Sequence, residues 1–571
     1  AQTRTVKGTV LDAANDEPLV GVSVTAGSNA MGVTTDVDGD FTIVVPESAK
    51  HLTVSYVGYE TQTVAISGSK IVVRLKSSVS SLDEVIAVAY GTAKRSEYTG
   101  AASVVKADQL EDALVANVVT ALNGKVSGVQ TTSSTGQPGS SPTVRIRGTG
   151  SINASSAPLY VVDGVPYMGD PANISPQDIV EMTVLKDAAS TALYGARGAN
   201  GVIIITTKKG QEGQAVVTFD ARWGSNSRAL PNYDVITDSR EWMELYYQAL
   251  NNTQMNFFGL SPVAANAAVN NEFWNAVGYQ TWTVPEGQAL FDMNGKFNPY
   301  ATPGYSNGRY YFIADDWEKE TLIHGLRQEY NVSVSGGTDR LQYYLSGTYL
   351  EDEGIIKGSH FNRLTTRATV DYQAKKWLKI GTSMSYVYSN SGDPRDNDLG
   401  AATSSGNAFY FVNGLPPMYP VYIRDAEGQI VYNKVYNNPV YDYGDNKDYG
   451  NGLLGAGRMP QGNPAGALLY DTNDYLSDIF DAKWYAVLTP IKGLSIVENV
   501  GYFLNNQRAH TLLNPLYGQF QTMGGQVVQS QARAYDVTLQ TLVSYNHTFA
   551  DVHEMLSLIH ISEPTRHLRI S

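Results

Sequence analysis

Two arginines spaced two apart carry the first chemical signal in this chain. In TVRIRGTGS, Arg145 and Arg147 alternate with Val144 and Ile146, so a strand here sets two guanidinium groups on one face and two apolar side chains on the other. Guanidinium forks pair with carboxylates, which suits a strand held in a polar enclosure. A second signal is Asp83-Glu84 followed by Val85-Ile86-Ala87-Val88-Ala89-Tyr90, set between the polar runs SSVSS and GTAKRSEYTG. Its chemistry is that of the main chain. With nothing local to pair with, such a segment can be completed by another protein's sheet edge. The alternative is a strand added to the domain that follows.

Other spacings fail on context. Gly304-Tyr305-Ser306-Asn307-Gly308 fits G-x-S-x-G, but no apolar strand precedes it and no helix follows, so it is no nucleophile elbow. Gly195, Gly198 and Gly201 follow a helical stretch instead of opening one, the wrong context for a dinucleotide fingerprint. Asp36-Val37-Asp38-Gly39-Asp40 begins like a calcium loop, with Glu47 at its twelfth position. The intervening TIVVP reads as strand, so a hairpin turn is expected there. The histidines have no metal-ligand spacing on one element, and zero cysteines rule out disulfides, thiolate sites and a cysteine nucleophile. No catalytic residue, metal or cofactor is expected, and the chain is not read as an enzyme.

The elements that position these residues follow from pattern. GVQTTSSTGQPGSSP, from Gly128 to Pro142, is loop by composition. PLYVVDGVP is a short strand ending in an Asp163-Gly164 hairpin turn. VEMTVLKDAASTALYGARGANGVIIITTKKG gives strand, helix and strand, with Asp187 as N-cap, Gly195 as the helix stop and Val202 to Ile205 as a buried strand. Upstream, TVKGTVLDA, VGVSVTAG, DFTIVVP, HLTVSYVGY, TQTVAI and KIVVRL alternate between turn residues, the pattern of a small β-sandwich.

After Gly210 the pattern becomes long hairpins. AVVTFDARWGSN comes first. RQEYNVSVSGGTDRLQYYLSGTYLED turns at Gly336 to Asp339, RLTTRATVDYQAKKWLKIGTSMSYVYSN at Lys375-Lys376, and DAKWYAVLTPIKGLSIVENVGYFLNN at Pro490 to Gly493; YDVTLQTLVSYNHTF adds one more strand. Short turns alternate with long connections, Asn232 to Leu322 and Ser391 to Ser477, as in outer-membrane barrels. A helix is expected over Arg240 to Leu250. These connections are rich in Tyr, Trp, Asn and Gly, suited equally to packing on one another and to contacting sugar or peptide ligands.

The run from GVQ to GVP together with LKDAASTALYGARGANGVIIITTKKG closely resembles the plug of TonB-dependent outer-membrane transporters of the SusC/RagA type. The first sandwich resembles the carboxypeptidase-regulatory-like domain that precedes it in that family, and Asp83 to Tyr90 resembles the TonB box, with Ala87 and Ala89 departing from its usual DEVVVVGYG. The fold class implied is mainly β: an N-terminal β-sandwich (1–78), a linker with the TonB-box-like segment (79–107), a small mixed α/β plug (108–210), and an incomplete antiparallel transmembrane β-barrel (211–555). The resemblance implies location in the outer membrane, with sandwich and plug on the periplasmic side. It also implies partners: TonB of the inner-membrane energy-transducing complex, a SusD-like surface lipoprotein, an oligosaccharide or peptide substrate, and outer-membrane lipid. An outer-membrane surface binding protein or adhesin without transport is the alternative. Arg145 and Arg147 are expected at the plug–barrel interface, paired with wall carboxylates.

Composition agrees. A formal net charge of −14 argues against nucleic acid, and 37 Tyr against 15 Phe suit rings with one wet end. No apolar run reaches the roughly 18 residues of a membrane helix, so spanning requires a barrel. Barrels of this family have about 22 strands, against roughly eight counted here. Ala1-Gln2 is read as the start of a mature chain freed of its export signal. The last stretch, LSLIHISEPTR from Leu556 to Arg566, resembles a translated transposase-adaptor read-through. Residues 556–571 are therefore expected to be a non-native tail, packed against nothing in the sheet's register. Thr5 to Gly210 is expected to form two compact domains able to fold without the barrel.

Overall fold

The computed structural model describes residues 3–13, 17–26, 31–46, 49–56, 59, 61–66, 70–75, 85–88, 91–94, 102–107, 109, 117–133, 135–151, 155–229, 234–393, 408–434, 437–443, 463–515, 520, 523–549 and 553–564. The chain divides into two compact units, Ala1–Ala102 with Leu185–Ala196, and Ser103–Val184 with Arg197–Ser571.

In the first unit, alternation of apolar and polar residues builds a sandwich. Thr3–Asp12 lies antiparallel to Asp40–Pro46 and parallel to Lys70–Leu75. The second sheet runs Met31–Thr34, Ser23–Ala26, His51–Ser55, Gln62–Ala65. DFTIVVP buries every second residue, and Val6, Val10, Ile43, Val45, Val24, Leu52, Val54 and Leu75 close the core. Met31–Thr34 is a strand the sequence reading lacked, because MGVT is short and interrupted by glycine. The Asp36 run is a turn, as expected: its Oδ1 accepts from the N–H of Asp38 (3.1 Å) and of Asp40 (2.9 Å). At Gly8 a Cβ would meet the Phe41 ring at 2.6 Å, so only glycine admits that ring to the core.

Val85–Val88 pairs with Gly91–Lys94 in a two-stranded antiparallel ladder, Val85 opposite Lys94 and Val88 opposite Gly91. The expectation that this segment has nothing local to pair with is corrected: a reversal of the chain brings its own continuation alongside. Among the described residues this ladder is a sheet of its own. Asp83, Glu84, Ala89 and Tyr90 lie outside the described residues.

The plug sheet has the order Ala102–Lys106, Ile179–Leu185, Val202–Thr207, Leu159–Val162, Val165–Tyr167, and a separate ladder joins Val129–Thr132 to Thr143–Ile146. The expected hairpin is present, with positive φ at Asp163 (49°) and Gly164 (88°), the backbone of a type I′ turn. Asp187 caps its helix, its Oδ1 accepting from the N–H of Ser190 at 2.8 Å, and Gly195 breaks the helical path with φ 60°.

The remaining large sheet, here called the wall, contains nine strands: β1 (Gly213–Asn226), β2 (Gly325–Gly337), β3 (Leu341–Glu353), β4 (His360–Lys375), β5 (Leu378–Gly392), β6 (Thr472–Leu488), β7 (Leu494–Leu513), β8 (Gln526–Phe549) and β9 (His553–Pro564). Each pairs antiparallel with the next. On β4 the alternation is strict. Phe361, Arg363, Thr365, Arg367, Thr369 and Asp371 are buried on one face, while Leu364 and Tyr372 are exposed on the other. A polar inner face with an apolar outer one is the pattern expected of an outer-membrane barrel wall. The turns at 338–340, 376–377 and 489–493 lie at one end, and the long connections at the other.

Two expectations fail here. The tail does not leave the sheet: His553–Pro564 pairs with β8 from Phe549 to Thr538, making nine strands where eight were counted. The free edge of β8 offers a row of backbone donors and acceptors to any β-competent segment. The alternating Ile559 and Ile561 comply by facing outward, 58 % and 61 % exposed, opposite Val543 and Thr541. Nor does the plug own a separate core. Its cluster of Val144, Ile146, Val162, Tyr167, Met182 and Ile203 is closed by Val387, Ile479 and Phe503 of the wall, so plug and wall form one unit instead of successive domains.

The long connections fold as well. The helix expected over Arg240 to Leu250 is α1 (Ser239–Asn256), capped by Asp238, whose side chain accepts from the N–H of Arg240. It is followed by α2 (Pro262–Val277), which the reading missed although Ser261-Pro262 is a strong start signal and Gly278, at φ 82°, a strong stop.

Candidate functional site

The polar groups that bridge plug and wall meet at the Asp163 hairpin tip. Arg367 Nη2, from β4, donates to Asp163 Oδ2 at 2.8 Å, to Thr207 Oγ1 at 2.7 Å and to Ser383 Oγ on β5 at 2.7 Å. Thr207 in turn donates through its N–H to Asp163 Oδ1 (3.0 Å) and through its hydroxyl to Oδ2 (2.6 Å). Lys483 Nζ on β6 donates to the Asp163 carbonyl. The side chains of Arg367 and Asp163 are only 6 % and 7 % exposed. Burial pushes the Asp163 carboxyl up, but the Arg367 guanidinium, the Thr207 hydroxyl and N–H and the charge of Lys209 outweigh it and hold the group below the usual carboxylate range. The turn selects the residue, since Asp tolerates positive φ and carries the charge.

The contact extends along the wall. Arg363 on β4, fully buried, donates through Nη1 to the carbonyl of Ala172. Asp178 Oδ1 accepts from the Tyr344 hydroxyl (2.9 Å) and the Ser346 hydroxyl (2.6 Å) of β3. Toward the long connections, Gln137 donates to the carbonyl of Gly392 (2.6 Å) and accepts from the Ser359 hydroxyl (2.6 Å). Gly139, at φ 73°, lies so close to the Phe361 ring that no side chain fits. Tyr167 packs edge-on against Phe503, their centroids 5.7 Å apart. Its hydroxyl is pushed far up, by burial first and then by the charges of Asp481 and Asp170. A small cavity of about 10 Å³ remains between Tyr167, Ser175, Asp178, Thr365, Arg367 and Asp481. That is the space of one water at most.

The arginines singled out from sequence are placed differently. Arg145 is half-buried opposite Gln130, and Arg147 is exposed, just past the strand end, with φ 59°. Among the described residues neither guanidinium holds an ion pair to a wall carboxylate. The pairing is inverted: the wall supplies the arginines, Arg363 and Arg367, and the plug supplies the acceptors. Alternation around β4 in RLTTRATVDY carried that signal, as two buried-face cations four apart.

The long connections form a core of their own from Met243, Tyr247, Phe273, Tyr279, Phe291, Trp317, Tyr419 and Tyr441 among others. These rings pack on one another. A cavity of about 380 Å³ lies beside Thr237, Asp315, Trp317 and Asn413. Ser306 of the G-x-S-x-G run is exposed in a short ribbon paired with Tyr311–Phe312, its hydroxyl accepting from the N–H of Gly308 at 3.2 Å. This is not the strand-to-helix turn of a nucleophile elbow.

Comparison with known proteins adds to this geometry. Residues 94–202 match the model of the TonB-dependent receptor plug domain, and residues 6–87 that of the CarboxypepD_reg-like domain. TonB-dependent receptor P39 of Formosa agariphila is 28 % identical over 546 residues, 95 % of this chain and 44 % of the relative. TonB-dependent receptor SusC of Bacteroides thetaiotaomicron is 31 % identical over 437 residues, 74 % of this chain and 37 % of the relative. Among solved structures, the RagAB peptide importer in its open-open state superposes with a TM-score of 0.61 at 25 % identity, covering 84 % of this chain and 48 % of that one. The chain thus spans less than half the length of the relatives it matches. The named relatives are receptors and an importer.

Proposed function

This chain belongs to the SusC/RagA-type TonB-dependent receptors, and from that premise we propose that it is part of an outer-membrane importer energised through TonB. The substrate class is an oligosaccharide or peptide, delivered with a SusD-like surface lipoprotein. Sandwich and plug face the periplasm, where Asp83 to Tyr90 engages TonB by strand addition. The observation that carries the reading is the Arg367–Asp163 contact, a buried polar tie between a plug and a wall whose inner face is polar. The polar ties of that interface can be exchanged for bonds to water as the plug moves, while the apolar contacts with Val387, Ile479 and Phe503 are what the pull must overcome. Among the described residues Val85–Val88 pairs only with Gly91–Lys94, and its other edge is where a partner strand would add.

The test is deletion of Asp83 to Tyr90 in the full-length receptor, with uptake and surface retention of a labelled oligosaccharide pool and a labelled peptide pool measured side by side. Uptake is expected to be lost while surface binding persists. Uptake equal to that of the undeleted receptor overturns the proposal. Binding without uptake in both forms supports the surface-binding or adhesin reading.

A further inference from the structure

Arg367 and Asp163 are only half of the charge cluster at the hairpin tip. Asp481 on β6 lines the same cavity as Arg367, and its carboxylate holds no hydrogen bond or ion pair among the described residues. The register explains the proximity: Arg367 stands opposite Ser385, and Ser385 opposite Asp481, so the three lie in one row on the inner face. Two strand spacings separate the backbones of Arg367 and Asp481 by about 10 Å, a gap that an arginine and an aspartate pointing into the same cavity can close. The other inward carboxylates near the tip are engaged. Asp371 accepts from Tyr485 and pairs with Lys379 at 2.9 Å; Asp178 holds Tyr344 and Ser346. Arg367 concentrates its bonds on Nη2 and leaves Nε without a partner among the described residues.

We propose that Asp481 is a second counter-ion for Arg367, the group that takes over the guanidinium when Asp163 withdraws with the plug hairpin. In the seated state Arg367 and Lys483 of the wall face Asp163 and Asp481, with the charge of Lys209 also acting on Asp163. Until water fills the gap, removing Asp163 leaves the Arg367 guanidinium with Ser383 but without a counter-ion, the costly way to break a buried pair. With Asp481 in the same row, the charge moves across one strand instead of being left bare. Asp481 is thus a positioning residue that lowers the barrier to unseating the plug, and its role rests on the import reading given above.

The test is mechanical and needs neither substrate nor TonB, so its failure is separable from failure of the import reading. The full-length receptor in a lipid bilayer is pulled at constant force from its N-terminus, and the dwell time before plug release is recorded; exclusion of vancomycin at zero force reports the seated state. Asp481→Asn is expected to keep exclusion unchanged and to lengthen the dwell about tenfold, with Asp481→Glu restoring it. In an Asp163→Asn background, where Arg367 rests on Asp481 before and after release, Asp481→Asn is expected to change the dwell less than twofold. An equal effect in both backgrounds, no effect in either, or loss of exclusion in Asp481→Asn alone overturns the proposal.

Discussion

Arg424 holds Asp315 through both arms of its guanidinium, Nη1 to Oδ2 at 2.9 Å and Nη2 to Oδ1 at 2.5 Å, and so ties one long connection to the other across 109 residues of chain. Both side chains are nearly buried, and Asp315 also accepts from the N–H of Val421 at 2.8 Å. Removing one member of such a pair leaves the other unpaired, at a cost of about 3 to 5 kcal/mol. Arg424→Ala is therefore expected to open the connections to protease within 232–322 and 408–443, with the wall still protected. Arg424→Lys keeps the charge but not the fork and should be intermediate. Cleavage-site mapping on the full-length receptor checks both, and protection equal to that of the unsubstituted protein would contradict the first.

A second comparison separates the arginines of the plug from those of the wall. Arg367→Ala removes every side-chain tie that β4 makes to Asp163 and Thr207, and is expected to admit a bulky antibiotic through the full-length barrel. Arg147→Ala, at an exposed position, is expected to leave permeability unchanged. If Arg147→Ala leaks as much as Arg367→Ala, the inverted pairing described here is wrong.

The acid sensitivity of plug seating follows from Asp163. Its folded pKa is held below the ordinary value, so the tie contributes fully above the unfolded pKa, about 3.9, and is lost as pH falls through the folded value. The contribution of the Asp163 tie to seating should be constant from neutrality down to about pH 5 and weaken only below about pH 4. Asp163→Asn should abolish that acid step. Protease protection of the plug against pH, in both forms, is the measurement; a step near pH 6 that survives in Asp163→Asn would assign it to another group.

The sequence disclosed what short-range rules govern. The Asp163-Gly164 turn, the Asp36 turn and the eight expected wall strands all follow from turn chemistry and period-two alternation, and the structure has each. What it hid depends on partners distant in sequence. TVRIR offered two arginines with the right spacing for an interface, yet the pairing partner is chosen by which wall row faces the plug, 204 residues beyond Asp163 in the case of Arg367. α2 was missed because PVAANAAVNNEFWNAV lacks a wide apolar stripe, and its buried positions Ala265, Val269, Phe273 and Val277 serve a loop core that no local pattern announces. β9 was missed because LSLIHISEP reads as a tail; in the structure His553–Pro564 pairs antiparallel with β8.

The shared core gives the last prediction. Val387, Ile479 and Phe503 cover the plug's own Val144, Ile146, Val162 and Tyr167, so a chain stopping at Gly210 exposes that face to water. The sandwich does not share this problem: Val6, Val10, Ile43, Val45, Val24, Leu52 and Val54 are buried against one another. Loss of cover of this kind typically leaves secondary structure with loosened packing and exposed apolar surface. In a chain ending at Gly210, amides of Leu52 and Ile43 should therefore exchange slowly, while those of Val161 and Ile203 exchange within the dead time and a hydrophobic dye binds. Residue-resolved hydrogen exchange on that chain and on the full-length receptor is the check. Slow exchange at Ile203 in the shorter chain would mean that the plug core is sufficient without the wall, and that the three wall residues only lie against it.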